Sequence, residues 1–426
     1  MNGDALSIRS LLDQYEETVT VKGRVSRDLE VTRYLAKAGD APVLFENLDG
    51  HRAVGNLWAS RKRIEHALRS SSEQLSSRML EAMGSPTPPQ EVDKAPFEQN
   101  ILTEFDLNES AIPKFFDGDG GRYITAGVII AEFEGKKNMS FHRMMLVGDK
   151  RLAIRVVPRH LHALHRRAKA KGEELKVAVV IGLCPSILLS AAMTVELGTD
   201  ELAIANTLRQ LCLGEPVAVR RIENGLLVPA YAEYVFEGRL TDKLIDEGPF
   251  VDITGTQDTV RKQPALEVDR IYYRDEAIFQ IILPASHEHY LMMGMPREPV
   301  IKKAVSVAVP EVHSVRLTEG GCCWLHGVVS ITKQKEGDSV NAILAALGSH
   351  TSMKLVTVVD DDINVYDDKA VEWALATRFQ GDKDLVLVKN ARGSSLDPSA
   401  DQTTAKVGLD ATKPLGCAGF DRIEPR

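Results

Sequence analysis

The sequence predicts an α+β multidomain protein with a strand-rich centre flanked by two α/β segments. Three observations carry that expectation. At 426 residues the chain exceeds what one ordinary core accommodates, so two or three domains are expected. Helical and strand signals alternate over residues 1–105 and again over 284–426, as α/β domains require. Between them, over residues 106–283, short β-rich runs are cut by Gly, Pro and Asp turns, the pattern of a barrel or sandwich.

The elements follow in order. "SIRSLLDQY" and "SRKRIEHAL" read as helices on either side of a strand, "PVLFENL". "GSPTPPQEVDKAP", residues 84–96, is polar and Pro-rich, an exposed loop or linker. The centre supplies strands in "RYITAGVIIAEFE", "RLAIRVVP", "GLLVPAYAEYVFEGRL", "FVDITGTQ" and "RIYYRDEAIFQIIL", interrupted by a helix, "ELAIANTLRQLC". After residue 284, "KAVSVAVPEVHSVRLT", "CCWLHGVVSIT", "VNAILAAL" and "KLVTVVDDDINVYDDKAVEWALATRF" resume the α/β alternation. The closing stretch, "GSSLDPSADQTTAKVGLDATKPLG", has little apolar periodicity to mark an element.

Composition excludes several classes. With 44% hydrophobic and 26% charged residues the chain reads as soluble and globular, and a net charge of -8 argues against a nucleic-acid partner. Cys184, Cys212, Cys322, Cys323 and Cys417 are odd in number and lack a CxxC pair. That is neither a disulfide framework nor a zinc ribbon, and it suits a reducing cytosol. The N-terminus carries charges from its start, so no secretory signal is expected. "VAVVIGLCPSILLSAAMTV", residues 177–195, is long enough to span a membrane, but Gly182, Cys184, Pro185 and Ser186 break it. It reads as a buried strand followed by a short helix that Pro185 begins.

The chemistry-bearing residues are scattered. "LIDEGPFVDITG" sets Glu247 and Asp252 on either side of a Gly-Pro turn, either a solvated acidic turn or a pair of buried acids needing a cation. "NMSFHRMML" offers Arg143, a surface charge unless it is buried, in which case a carboxylate must accompany it. His160, His162 and His165 lie in a helical segment where neighbours two apart diverge, so they form a basic face and not a shared metal site. Asp360, Asp361 and Asp362 end a strand; Mg²⁺ binding and a capped, solvated turn are both open, and the turn is favoured. P-loop, GxGxxG and G-x-S-x-G motifs are missing.

Taken together these blocks resemble the UbiD family of decarboxylases, over nearly the whole chain. "PVLFENLDGHRAVGNLWASRKRI" is similar to the family's N-terminal signature, "NMSFHR" to its Asn-x-x-x-x-Arg motif and "PRH" to its cofactor-side His. "GTDELAIAN", "LLVPAYAEYVFEG", "EGPFVD", "VDDDINVYDDKAVEWALATR" and "SSLDPSA…TAKVGLDAT" follow in the family's order. The resemblance implies an N-terminal α/β domain, a central flavin-reductase-like split β-barrel holding prenylated FMN, and a C-terminal α/β domain with a dimerisation tail. It also implies a homodimer or higher homo-oligomer.

Residue by residue, the resemblance implies that Asn138, His160 and Glu201 hold Mn²⁺ or Mg²⁺ against the cofactor phosphate, which Lys406 also meets. It places K⁺ among the carbonyls of Ala191, Ala192 and Met193, and Ser140, Phe141, His142 and Arg159 along the cofactor. Glu247 would transfer the proton, Arg143 would orient the substrate carboxylate, and Asp252 would hold Arg143. Val251 stands where the family more often has Gly. A separate flavin prenyltransferase is implied as cofactor supplier.

The implied substrate is a small α,β-unsaturated or aromatic acid. The compact chain resembles an archaeal branch that includes trans-anhydromevalonate 5-phosphate decarboxylases, and Arg261, Lys262, Arg297, Lys302 and Lys303 are available to a phosphate. An aromatic acid such as a polyprenyl-hydroxybenzoate is the alternative, which an aromatic content of 6% disfavours.

Overall fold

The computed structural model describes residues 7–401, 403–420, 422 and 423. The first six residues, part of the segment read as carrying no secretory signal, lie outside them. The chain divides into two compact units, residues 1–292 and 293–426. The fold is mixed α/β.

In the first unit a four-stranded sheet runs Val19–Val21, Val43–Leu48, His51–Gly55, Ile278–Ile281. Its last strand comes from more than two hundred residues downstream and pairs in parallel with His51–Gly55. One apolar cluster joins Phe45 and Leu48 of this sheet to Ile129, Leu152, Val179 and Leu266 of the next.

That next sheet has nine strands and is antiparallel throughout. Its order is Tyr123–Ile124, Met144–Gly148, Arg151–Ile154, Arg261–Tyr273, Tyr234–Glu247, Leu175–Ile181, Val128–Phe133, Lys136–Phe141, with Asn100–Leu102 on the side of Arg261–Tyr273. Among the described residues no ladder joins its two ends, so the sheet does not close. The central strand Leu175–Ile181 is buried at every position but Lys176, which explains its unbroken apolar run. Pro185 occupies the first turn of the helix Pro185–Ala192, where its missing N–H breaks no bond. The apolar run at 177–195 is thus a strand and a short helix. Among the described residues no helix is long and apolar enough to cross a membrane. The Pro-rich segment at 84–96 contains a two-residue strand, Gln90–Glu91, paired in parallel with Ala218–Arg221.

The second unit is a five-stranded sheet in the order Val312–Leu317, His326–Ile331, Leu355–Asp360, Thr404–Ala411, Leu385–Ala391. Its helices are Glu298–Ala308, Asp338–Ser349 and Asp368–Arg378. One expectation is corrected here and another is extended. Thr404–Ala411 is an interior strand in the supposedly featureless closing stretch. Asp360 to Asp362 lead out of their strand into a turn at which Asp361 and Asp362 are exposed, and Asp360 and Asp362 also bind the fully buried Arg378 at 2.8 and 2.7 Å. The capping role belongs to Asp367, which accepts from the Lys369 and Ala370 N–H groups.

One buried acid of the first unit makes the fold pH-sensitive. Glu288 is fully buried; Oε1 accepts from the Trp58 N–H at 2.8 Å, while Oε2 has no partner among the described residues. Burial pushes its pKa from 4.5 up to about 7, against the opposing pull of the Trp58 and Asn56 amides and of Arg63. The folded chain therefore binds this proton more tightly than the unfolded chain. Stability is highest below the unfolded value and declines as pH rises through 7, by about 3 kcal/mol. Glu288→Gln should flatten that decline and be more stable than wild type at pH 8. Urea unfolding at pH 5 and pH 8 checks this, and an unchanged slope would assign the decline elsewhere.

Candidate active site

Asn138, His160 and Glu201 converge although three separate elements carry them. Asn138 lies in the strand Lys136–Phe141, while His160 and Glu201 are the first residues of the helices His160–Ala170 and Glu201–Leu213. Asp200 fixes the start of the second helix by accepting from the Leu202 and Ala203 N–H groups. It also pairs with Lys137 at 2.9 Å, which draws Asn138 toward Glu201. Glu201 Oε1 then accepts from Asn138 Nδ2 at 3.1 Å and lies 3.4 Å from His160 Nδ1, while Oε2 accepts from the Met139 N–H at 2.8 Å.

Glu201 is 2% exposed, and its hydrogen bonds come from neutral amides. A buried carboxylate so placed fits a cation. The donor set of carboxylate, amide oxygen and imidazole suits a hard divalent ion. The helix Pro185–Ala192, whose end bears Ala191, Ala192 and Met193, packs on both Lys136–Phe141 and Glu201–Leu213.

Beside this cluster Ser140 Oγ lies 3.0 Å from Asn138 Oδ1 and 2.9 Å from His142 Nε2. His142 Nδ1 donates to the Arg155 carbonyl at 2.9 Å, which leaves Nε2 as an acceptor. Burial, aided by the Arg155 charge, lowers the His142 pKa to about 4, so the imidazole is neutral at pH 7.

The second cluster centres on Arg143, at the turn before the strand Met144–Gly148. It is buried. Nε and Nη2 hold Glu247 Oε1 and Oε2 at 2.9 and 3.0 Å in a fork, Nη1 binds Asp252, and Nη2 also meets Asp258 at 2.8 Å. Glu247 is fully buried, Asp258 nearly so, and Asp252 is 16% exposed. Burial works against the guanidinium charge, but the Glu247 hydrogen bonds and the Asp252, Glu247 and Asp258 charges outweigh it and raise the Arg143 pKa. Arg143 is therefore a permanent cation. Of its five N–H groups four are engaged, and one on Nη1 remains.

Residues not singled out in the sequence complete this cluster. Asp258 sits in the short strand Gln257–Asp258, opposite Phe250, and bridges Arg143 to Arg261. The Tyr123 hydroxyl lies 3.3 Å from Glu247 Oε1 and 3.4 Å from the Pro249 carbonyl; burial, then the Glu247 charge, keep it protonated and hence a donor. Phe250 packs between the Tyr123 ring at 4.4 Å and the Arg143 guanidinium at 4.7 Å. The Gly248–Pro249 turn is held from outside: Gly120 N–H donates to the Pro249 carbonyl at 2.7 Å, and Asp119 accepts from the Val251 N–H at 3.2 Å. A Cβ on Gly120 would stand 2.1 Å from the Gly248 carbonyl oxygen, so only glycine fits there. His289 Nδ1 accepts from the Ala285 N–H at 3.2 Å; its imidazole, disfavoured as a cation by burial, feels the charges of Asp252 and Arg143.

Phe141 is half-buried at the end of its strand, and Arg159 is exposed at the N-cap of the His160 helix. Lys406 belongs to the second unit, where Nζ donates to the Leu347 and Thr351 carbonyls at 3.1 and 2.8 Å; one N–H is left for a ligand. Lys262 pairs with Asp246 on the surface, and Lys302 donates to the His313 carbonyl. A cavity of about 610 Å³ lined by Arg27, Asp49, Lys114 and Arg122 includes none of the site residues.

Comparison with known proteins places this architecture among carboxy-lyases. Residues 9–83, 90–287 and 290–411 match, in turn, the N-terminal, Rift-related and C-terminal domains of 3-octaprenyl-4-hydroxybenzoate carboxy-lyase. The chain belongs to the UbiD family. The UbiD-class enzyme HmfF from Pelotomaculum thermopropionicum, solved with FMN, superposes with a TM-score of 0.95 at 37% identity, over 98% of this chain and 97% of that one. An evolved dimeric form of HmfF with prenylated FMN gives 0.92 at 34% identity, over 99% and 97%. The anhydromevalonate phosphate decarboxylase of Methanosarcina mazei is 46% identical over 95% of this chain and 94% of its own. Four more relatives of that name are 40–44% identical over 94–99% of this chain.

Proposed function

We propose that this chain is a prenylated-FMN-dependent decarboxylase converting trans-anhydromevalonate 5-phosphate to isopentenyl phosphate. The observation behind the decarboxylase reading is the buried fork between Arg143 and Glu247, which sets a carboxyl group and a fixed cation side by side out of solvent. The substrate reading rests on the five relatives named for that reaction.

When bound, prenylated FMN supplies the electron sink for the pair released as CO₂ leaves. The chain supplies the rest. The remaining Nη1–H of Arg143 orients the substrate carboxylate. Glu247 takes up a proton from solvent before the chemistry; as the C–C bond breaks and CO₂ departs, it gives that proton to the same carbon and returns to the carboxylate that Arg143 holds. Asp252 and Asp258 hold Arg143 through both steps, and the Tyr123 hydroxyl holds Glu247 in place. Asn138, His160 and Glu201 would hold Mn²⁺ or Mg²⁺ when it is bound, and Lys406 would offer its remaining N–H to a phosphate. The carbonyls of Ala191, Ala192 and Met193 hold K⁺. Ser140, Phe141, His142 and Arg159 line the cofactor. The same reading makes residues 106–283 a split-barrel cofactor domain in a cytoplasmic homodimer, served by a separate flavin prenyltransferase.

The test is CO₂ release by protein co-expressed with a flavin prenyltransferase. Trans-anhydromevalonate 5-phosphate should be turned over and a polyprenyl-hydroxybenzoate should not. Turnover of the second alone would move the protein to quinone biosynthesis.

A further inference from the structure

Arg155 follows the strand Arg151–Ile154 and lies directly across from Arg143. Ile154 pairs with Met144, and the Arg155 N–H donates to the Arg143 carbonyl at 3.1 Å. Opposite residues of an antiparallel pair share a face, with Cα atoms about 5.5 Å apart when hydrogen-bonded. The backbones of the two arginines therefore adjoin, and the Arg143 charge is felt at Arg155.

Their circumstances differ. Arg143 is surrounded by Glu247, Asp252 and Asp258. The Arg155 side chain is half-buried, and it makes no hydrogen bond or ion pair with any described residue. Burial first, then the positive charges of Arg261 and Arg143, disfavour its charged form; Asp258 and Glu247 offset this only in part. Both acids whose charges reach it are already engaged: Asp258 is shared between Arg143 and Arg261, and Glu247 is held by Arg143. A partly desolvated cation kept without a partner, beside two of like charge, is costly unless an anion completes it.

We propose that Arg155 is the specificity-determining residue that receives the phosphate monoester of the substrate. This rests on the decarboxylase reading. The division of labour follows from which group reacts. The carboxylate leaves as CO₂, so a strong grip on it would stabilise the ground state, and the single free N–H of Arg143 is enough to orient it. The phosphate does not react, and tight binding there can hold the acid in place through the chemistry. A guanidinium with all five N–H groups free offers a phosphate the two-point fork that Arg143 can no longer offer. A six-carbon acid with a phosphate at the end of its five-carbon main chain can reach from Arg143 toward its cross-strand neighbour.

The experiment uses the full chain loaded with FMN, so that the cofactor's own phosphate position is filled. Inorganic phosphate is titrated calorimetrically into wild type, Arg155→Gln and Arg155→Lys. The expected result is phosphate binding at least tenfold weaker in R155Q, intermediate in R155K, with FMN content equal in all three. In the prenylated-FMN enzyme, the preference in kcat/KM for the phosphorylated acid over the same acid without phosphate should fall at least tenfold in R155Q.

Equal phosphate affinity in wild type and R155Q would overturn the inference. Loss of FMN from R155Q would overturn it too, assigning Arg155 to the cofactor phosphate. An equal loss of kcat/KM on both acids would place Arg155 on the carboxylate instead. Arg155-dependent phosphate binding in an enzyme that releases no CO₂ from the phosphorylated acid would leave the anion site standing and remove the substrate reading.

Discussion

Glu247→Gln should lower kcat at least a hundredfold in the prenylated-FMN enzyme while the protein still folds and retains FMN. Glutamine keeps the shape and volume of the side chain in a fully buried position, so no cavity forms. Its amide presents one oxygen to Arg143 where the carboxylate presented two, a loss of about 1–2 kcal/mol. That is small beside the stability of a chain this size. What the amide lacks is a transferable proton, and general acid catalysis contributes about 10²–10⁴ in rate. Single-turnover measurement of CO₂ release and product proton uptake separates the two steps. Turnover within tenfold of wild type would remove Glu247 as the proton donor.

Arg143→Ala should be the most destabilising change at the site, costing about 3–5 kcal/mol. An exposed ion pair would be worth under about 1 kcal/mol, but this guanidinium is 8% exposed and faces a carboxylate that is fully buried. Removing it leaves Glu247, Asp252 and Asp258 facing one another, with Arg261 still paired to Asp258. The pH dependence follows in sign. Burial works against the Asp258 charge, but Arg261 and Arg143 outweigh it and hold its pKa below the ordinary value, so losing Arg143 makes the folded chain bind this proton more tightly. The deficit relative to wild type is then largest at neutral pH and shrinks as pH falls toward 5. Urea unfolding at pH 7.5 and pH 5 reads this directly. A loss under 1 kcal/mol at pH 7.5 would contradict the buried network.

Much of the secondary structure was legible because local signals agreed with the tertiary outcome. Pro185 marks the first turn of its helix, Asp200 caps the next one, and the alternation through "KLVTVVD" gives the strand Leu355–Asp360. Thr404–Ala411 was hidden because its apolar positions are occupied by Thr404, Lys406 and Gly408. Lys406 is buried by bonding two carbonyls, and Gly408 is small because Ile343 lies against it. Neither residue resembles a core residue to a periodicity argument.

The site divides in the same way. That a buried Arg143 must have carboxylates is a physical requirement, but which acids answer it depends on chain separations of 104 to 115 residues, which no local pattern reports. The resemblance named Glu247 and Asp252. Asp258 escaped because "GTQDTV" reads as an ordinary turn, although its spacing to Arg261 was a usable signal. Asp119 and Gly120 escaped because their work is done on a backbone turn. The pairing of Asp360 and Asp362 with Arg378 escaped because that cation lies a full helix downstream of their turn.

The convergence of Asn138, His160 and Glu201 has a bearing on how much protein a cell retains. Asn138 and Glu201 are 63 residues apart, so the unfolded chain holds no such arrangement. A ligand gripped there binds only the native form. At a concentration 100 times its dissociation constant it adds about 2.7 kcal/mol to stability. If the cofactor and metal proposed above bind there, chains made when either is scarce would lack that protection and open more often to proteolysis. Abundance, and not only specific activity, would therefore rise and fall with the cofactor supply.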